Sequence, residues 1–210
     1  MTTWHHLLTP DTRVVVLDLD GTFYLKSRMV LRMLLAAPLD VRRMLAERRT
    51  RRLLRGRWLE TKDQFDSAFF STLAREMNSS PEEAVHWYME RYMPRMVAVI
   101  RQYYKLVDWV SPLMGYCKDH GIAMVVLSDY GHAVEKLEAL GVDVDALDWV
   151  VSAMELGGLK PAKELLEVIS ERMDVRPSEI LVIGDREDTD GDLARAVGAT
   201  YWRCNSGDRR

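Results

Sequence analysis

Two carboxylates, Asp18 and Asp20, stand directly behind the apolar run Val14-Val15-Val16-Leu17 and just ahead of Gly21-Thr22. In an extended chain, residues two apart share a side, so both acids can face one point where the strand ends. Gly21 then lets the backbone turn sharply away. Like charges this close are tolerable when a hard cation lies between them and a partner, or when one of them holds a proton. Three more chemical groups occupy comparable positions. Ser128 follows the apolar run IAMVVL, where a hydroxyl and the free N–H groups of a following helix make a cradle for an anion. Lys160 sits in the glycine-rich turn GGLKPA, with Pro161 placed to open a helix, and offers a point charge to a phosphate or carboxylate. Asp185 and Asp190, in GDREDTD, follow the run ILVI and supply the second carboxylate source that a Mg²⁺ site shared with Asp18 requires.

The elements that must carry these groups are short, continuous apolar runs rather than alternating ones, the mark of parallel strands covered by helices on both faces. Val14 to Leu17, Ile122 to Leu127, the weaker Leu147 to Val151, Ile180 to Ile183 and Thr200 to Trp202 read as five such strands. Helices that enter them stop at Gly121, Gly141 and Gly198, where a left-handed cap suits glycine. This rhythm predicts an α/β fold with a doubly wound parallel sheet, whose sites gather at the carboxyl ends of the strands. From Lys26 to about Lys105 the pattern changes to helices alone. Thr61-Lys62-Asp63-Gln64 and Ser80-Pro81-Glu82-Glu83 read as capping boxes. The first precedes a stripe at Phe65, Ala68/Phe69, Leu73 and Met77; the second precedes one at Val85, Tyr88/Met89 and Tyr92, with Pro94 expected to break or kink the helix. The expected division is a core of 1–25 and 106–210 with an inserted all-helical cap of 26–105.

The chain has 210 residues, 48% of them hydrophobic, enough for a well-buried core. Its net charge of −3 gives no general reason to bind nucleic acid or an acidic membrane surface. Met29 to Leu39 is apolar but interrupted by Arg32 and Pro38, and is far short of the roughly 20 residues a membrane span needs. Cys117 and Cys204 lie far apart without metal or disulfide spacing, and the first residues, MTTWHHLLTPDTR, lack the pattern of a secretory signal. A cytoplasmic protein with reduced thiols is the expectation.

In this order, the DLDGT, strand-serine, Lys-Pro and GDxxxxD motifs resemble those of the haloacid dehalogenase (HAD) superfamily of phosphoryl-transfer enzymes, over about 13–25 and 107–202. The resemblance implies a HAD-like Rossmannoid core and a helical cap of the family's first cap class. It implies that Asp18 is the nucleophile that becomes an aspartyl-phosphate, and Asp20 the general acid and base. Ser128 and Asp129 then belong to the phosphate pocket, where Asp129 replaces the asparagine or glycine common in relatives. Lys160 steadies the phosphorylated Asp18, and Mg²⁺ is held by Asp18, the Asp20 carbonyl and Asp185, supported by Asp190. The acid at Asp20 points to phosphate esters, since a departing halide needs no proton.

The resulting expectation is a Mg²⁺-dependent phosphatase of a small phosphorylated metabolite, with sugar phosphates, phosphoglycolate and nucleotide monophosphates equally open. The alternatives are a phosphomutase on the same machinery, or a binding protein that uses an arginine-rich cap. A phosphonate hydrolase would need a poised cap lysine, and Lys26, Lys62 and Lys105 show no special context in the sequence. Eight arginines lie between Arg42 and Arg57. They read as a solvated face, from which the Arg55-Gly56-Arg57-Trp58 turn is best placed to reach a substrate anion. Met29, Met33 and Met44 read as cap packing.

Overall fold

The computed structural model describes residues 4–204. Five parallel strands, β1 (Val14–Leu17), β2 (Ala123–Ser128), β3 (Trp149–Ser152), β4 (Ile180–Gly184) and β5 (Thr200–Arg203), lie in the order β3-β2-β1-β4-β5. β1 is central, and its four residues are at most 1% exposed. Burying each of these side chains contributes about 1.5–3 kcal/mol, which explains why the run is apolar on both faces. Leu17 pairs with Val126 of β2 and Ile183 of β4, so the three strands end at one level. Asp18 leaves that level with its amide still bonded to the Ile183 carbonyl at 2.8 Å.

Helices α6 (Val110–Asp119), α7 (Ala133–Ala139), α8 (Glu164–Arg172) and α9 (Asp192–Val197) connect the strands. The glycines at 121, 141 and 198 all take left-handed φ values, from +64° to +79°, as expected of helix ends. Two starts fall later than the sequence implied. α7 begins at Ala133, five residues beyond Ser128, and α8 at Glu164, so Pro161 opens no helix. Both offsets leave irregular backbone beside the strand ends, where a site can be built.

Five helices follow β1 before α6: α1 (Met29–Ala36), α2 (Val41–Leu54), α3 (Lys62–Met77), α4 (Pro81–Trp87) and α5 (Met93–Tyr103). Ser80 and Glu83 form the complete capping box; Thr61 caps α3 by accepting the Gln64 amide at 3.3 Å. Phe65, Phe69 and Leu73 are buried as their spacing implies. Ala84, Trp87, Tyr88 and Tyr92 are buried, whereas Val85 and Met89 are exposed. A π-helical turn over Tyr88–Tyr92 joins α4 to α5 in one continuous helical run, with Pro94 just behind it in the first turn of α5. The ladder thus departs from α geometry directly ahead of the proline. Among the described residues, no helix is long and apolar enough to cross a membrane.

The cap is fastened to the core at a second place besides its two chain crossings. Leu59 donates to the Gly157 carbonyl at 2.8 Å and Leu159 to that of Arg57 at 3.0 Å, forming an antiparallel bridge between Trp58 and Gly158. The end of α2 is thereby held against the loop that leads to Lys160.

Candidate active site

All seven residues singled out by the motifs gather at the carboxyl ends of β1, β2 and β4. Asp18 is buried, and one carboxylate oxygen accepts the Lys160 ammonium at 2.6 Å while the other accepts the Thr22 hydroxyl at 3.1 Å. Lys160, itself 3% exposed, also donates to Asp190 at 2.7 Å and to the Leu127 carbonyl at 3.2 Å. A lysine among three oxygens stays charged: burial works against the ammonium, but Asp18 and Asp190 outweigh it and raise Lys160 well above its ordinary range. Burial pushes Asp18 up to about 7, Lys160 pulling it down and Asp190 pushing it further up. Asp129 shapes this corner too, its carboxylate accepting the Lys160 backbone amide at 3.0 Å.

Asp20 is held by a separate set of groups. Tyr24 donates to it at 2.6 Å, Ser128 at 3.1 Å, and the fully buried Lys136 at 3.0 and 3.1 Å. Burial alone would raise its titration, but Lys136, Tyr24 and Ser128 together hold the carboxyl below the usual carboxylate range. Ser128, expected at a helix start, instead ends β2; its hydroxyl bridges Asp20 and the Tyr130 amide, which donates to it at 3.1 Å. Tyr24 and Lys136 were not singled out from sequence. The signal for Lys136 was present, since it shares the inward face of α7 with Ala133, Leu137 and Leu140, a position that requires a partner for any charge.

Ligand oxygens of Asp18, Asp185 and Asp190 all lie within 4.8 Å of one another. Asp190 uses one oxygen on Lys160, and its other accepts the Arg186 amide at 3.3 Å. Gly21 has φ +111°, and a Cβ there would lie 2.5 Å from Asp185 Oδ2, so only glycine permits the carboxylate to approach this closely. Lys26 corrects the sequence reading. Its ammonium lies 2.9 Å from the Asp20 carbonyl and 2.6 Å from Asp185, a cation seated between two oxygens of the set assigned to Mg²⁺. The cluster fits a hard divalent ion: every donor is oxygen, and its carboxylates already face positive charge, Asp185 from Lys26 and Asp18 and Asp190 from Lys160.

Of the cap arginines, Arg51 penetrates furthest. It pairs with buried Glu47, donates to the Asp129 carbonyl at 2.7 Å and to Tyr88 at 2.6 Å, and lies 3.8 Å over the Tyr130 ring. Arg55, favoured from sequence, pairs with Asp188 at 2.8 Å and also lines the cavity between cap and core. Between cap and core lies a cavity of about 620 Å³, lined on the core side by Asp20, Lys160 and Asp129 and on the cap side by α1, α2 and α5. Met29, Met33 and Met44, expected as cap packing, are among its walls.

The chain belongs to the haloacid dehalogenase-like hydrolases, whose family model matches residues 12–198. It is accordingly a hydrolase by family. None of the curated proteins matches it. Among solved structures it is similar to a predicted phosphoglycolate phosphatase from Haemophilus somnus 129pt, at 15% identity and a TM-score of 0.66, covering 95% of this chain and 88% of that one. A HAD phosphatase from Thermococcus onnurineus gives 16% identity and 0.57, over 95% and 89%. The L-2-haloacid dehalogenase from Xanthobacter autotrophicus gives 17% and 0.59, over 91% and 77%. At these identities the likeness is one of fold, shared by phosphatases and dehalogenases alike.

Proposed function

We propose that the protein is a cytoplasmic Mg²⁺-dependent phosphomonoester hydrolase, with a core of 1–25 and 106–210 and a cap of 26–105. One observation carries the choice between esters and halides: Asp20 is held by three donors of its own, apart from the Lys160 cluster around Asp18. A second carboxylate maintained in this way has no task in displacing a halide and has two in cleaving an ester.

Asp18 attacks the phosphorus, the bond from phosphorus to the alcohol oxygen breaks, and that oxygen takes a proton from Asp20. Water then attacks the aspartyl-phosphate, giving its proton to Asp20 and returning Asp18 as a carboxylate with release of phosphate. The first step draws on the protonated form of Asp20, and Lys136, Tyr24 and Ser128, which hold this carboxyl low, favour the carboxylate that accepts the second proton and restores the acid. Lys160 offsets charge on Asp18 throughout, and Arg51 holds the Asp129 segment beside the pocket. Asp18, the Asp20 carbonyl and Asp185 would hold Mg²⁺, with Asp190 behind them; the ion would neutralise the phosphoryl oxygens. The substrate is a small phosphorylated molecule that fits the cavity under the cap.

The test is phosphate release from p-nitrophenyl phosphate with and without Mg²⁺, in the native chain and in Asp18→Asn. Metal-dependent release that the substitution abolishes supports the reading. Absence of release under every divalent metal tried, or chloride release from a 2-chloroacid instead, overturns it.

A further inference from the structure

The cavity shows what kind of alcohol the phosphate is attached to. The apolar part of its cap wall is built by Met29, Met33, Leu34, Met44, Leu45 and Met96, beside a charged part of Glu47, Arg48, Arg51, Arg52 and Arg55. Among the described residues that line it there is no asparagine, glutamine, serine or histidine, the neutral groups that pair with sugar hydroxyls. Of the hydroxyls that do face it, those of Tyr24 and Tyr92 are engaged, and those of Thr189 and Tyr130 make no hydrogen bond among the described residues. Tyr24 donates to Asp20, Tyr92 donates to Glu47, and Glu47 pairs with Arg51. A polyol placed here would give up hydrogen bonds to water and find few in return.

A second observation extends the first. Val30, Val41 and Leu45 line the cavity and are also 62%, 38% and 49% exposed, so its apolar wall continues outward as an apolar rim. An apolar wall that continues unbroken to the mouth accepts a body longer than the cavity itself. The thioethers add adaptability, since unbranched methionine side chains repack around differing apolar shapes. Arg48 and Arg52, one turn apart on α2, also line the cavity, and no carboxylate pairs with either among the described residues. They supply the field that draws a phosphate inward past this rim.

We infer that the substrate is a phosphomonoester of an apolar alcohol, alkyl or aryl, rather than of a sugar or another polyol. The inference rests on the phosphomonoester hydrolase reading and adds to it the chemistry of the leaving group. It goes beyond the expectation from sequence, in which sugar phosphates, phosphoglycolate and nucleotide monophosphates were equally open.

The experiment compares octyl phosphate and 1-naphthyl phosphate with glycerol 3-phosphate and glucose 6-phosphate, all below any micellar concentration and with Mg²⁺ present. The expected result is a kcat/KM at least about tenfold higher for the two apolar esters, carried mainly by KM. Equal or better turnover of glycerol or glucose phosphate overturns the inference and leaves the hydrolase reading standing. Met44→Gln and, separately, Met29→Gln keep side-chain length while adding an amide, and are expected to lower the ratio of octyl to glycerol phosphate turnover at least threefold. Unchanged ratios in both well-folded variants count against the inference. If no ester is hydrolysed, the hydrolase reading fails, and calorimetric binding of octylphosphonate against 3-hydroxypropylphosphonate decides the cavity's preference alone. Tighter binding of the octyl compound supports the apolar site, and equal binding overturns it.

Discussion

The two sides of the cavity are built on opposite rules. On the core side nearly every polar group is committed to another: Asp18 to Lys160 and Thr22, Asp190 to Lys160, Asp20 to Lys136, Tyr24 and Ser128. On the cap side a patch of methionine and leucine stands beside a run of arginines, two of which, Arg48 and Arg52, have no acidic partner among the described residues. The contrast separates two demands. Phosphoryl transfer needs charges fixed in advance, because reorganising them during reaction adds to the barrier. Recognition of an alcohol needs shape and desolvation, which flexible apolar side chains supply.

The sharpest way to break the contrast is to remove the group on which the core side converges. Lys160→Met leaves Asp18 and Asp190 buried without their cation, which is expected to cost about 3–5 kcal/mol of stability. Loss of its charge from the transition state should also lower kcat by about 10²–10³-fold. Urea unfolding and single-turnover phosphate release measure the two effects separately.

Arg51 is the one place where the cap behaves like the core. Arg51→Met strands the Glu47 carboxylate, which is 2% exposed, and is expected to destabilise by about 3–5 kcal/mol. The double variant Glu47→Gln/Arg51→Met should recover a large part of that loss. By contrast, Arg48→Ala should stay within about 0.5 kcal/mol, as surface substitutions do. Thermal unfolding of the set checks all three.

Titration of Asp18 sharpens the core side further. Its carboxyl is raised to about 7 when folded, from an ordinary value of 3.8. The folded chain therefore keeps a proton that the unfolded chain releases. This group's stabilising contribution is full below about pH 4 and is lost as pH rises through about 7, with a slope of at most about 1.4 kcal/mol per pH unit. Asp18→Asn should flatten that part of a urea-stability profile between pH 5 and 8. In the native chain phosphate release should rise with pH over the same range, as the nucleophilic carboxylate forms, and saturating Mg²⁺ should move the rise to lower pH.

The smallest effect concerns Lys26, whose side chain is 41% exposed. A half-exposed pair contributes about 0.5–1 kcal/mol, so Lys26→Met should tighten Mg²⁺ binding by about two- to fivefold, read by calorimetry. Weaker binding in the variant would show that Lys26 assists the ion rather than competing with it.

Much of the core was legible in the sequence because strands packed on both faces must be continuously apolar, and because the groups at their ends are short and charged. Asp18, Asp20, Ser128, Lys160 and Asp185 each follow such a run or stand in a glycine-rich turn. What the sequence concealed were partners brought together by the fold. Lys26 looked ordinary because its significance depends on the Asp185 loop, far along the chain. Arg51 could not be told from seven neighbouring arginines until α2 was set against the Asp129 segment and Tyr88. The methionines matched a packing stripe because a cavity wall and a core face have the same composition; only the space beyond them differs. The π-helical turn at Tyr88–Tyr92 had no pattern of its own, and only Pro94 behind it marked the place.

The bridge between Trp58 and Gly158 has a consequence for how the cavity opens. It ties the far end of α2 to the loop carrying Lys160, and Gly56 adds a bond to the Lys160 carbonyl at 3.3 Å. A cap that swung away as a whole would have to break these bonds or carry Lys160 with it. An opening that kept the bridge intact would have to part the cavity at α1 and the start of α2, the edge that carries Val30, Val41 and Leu45.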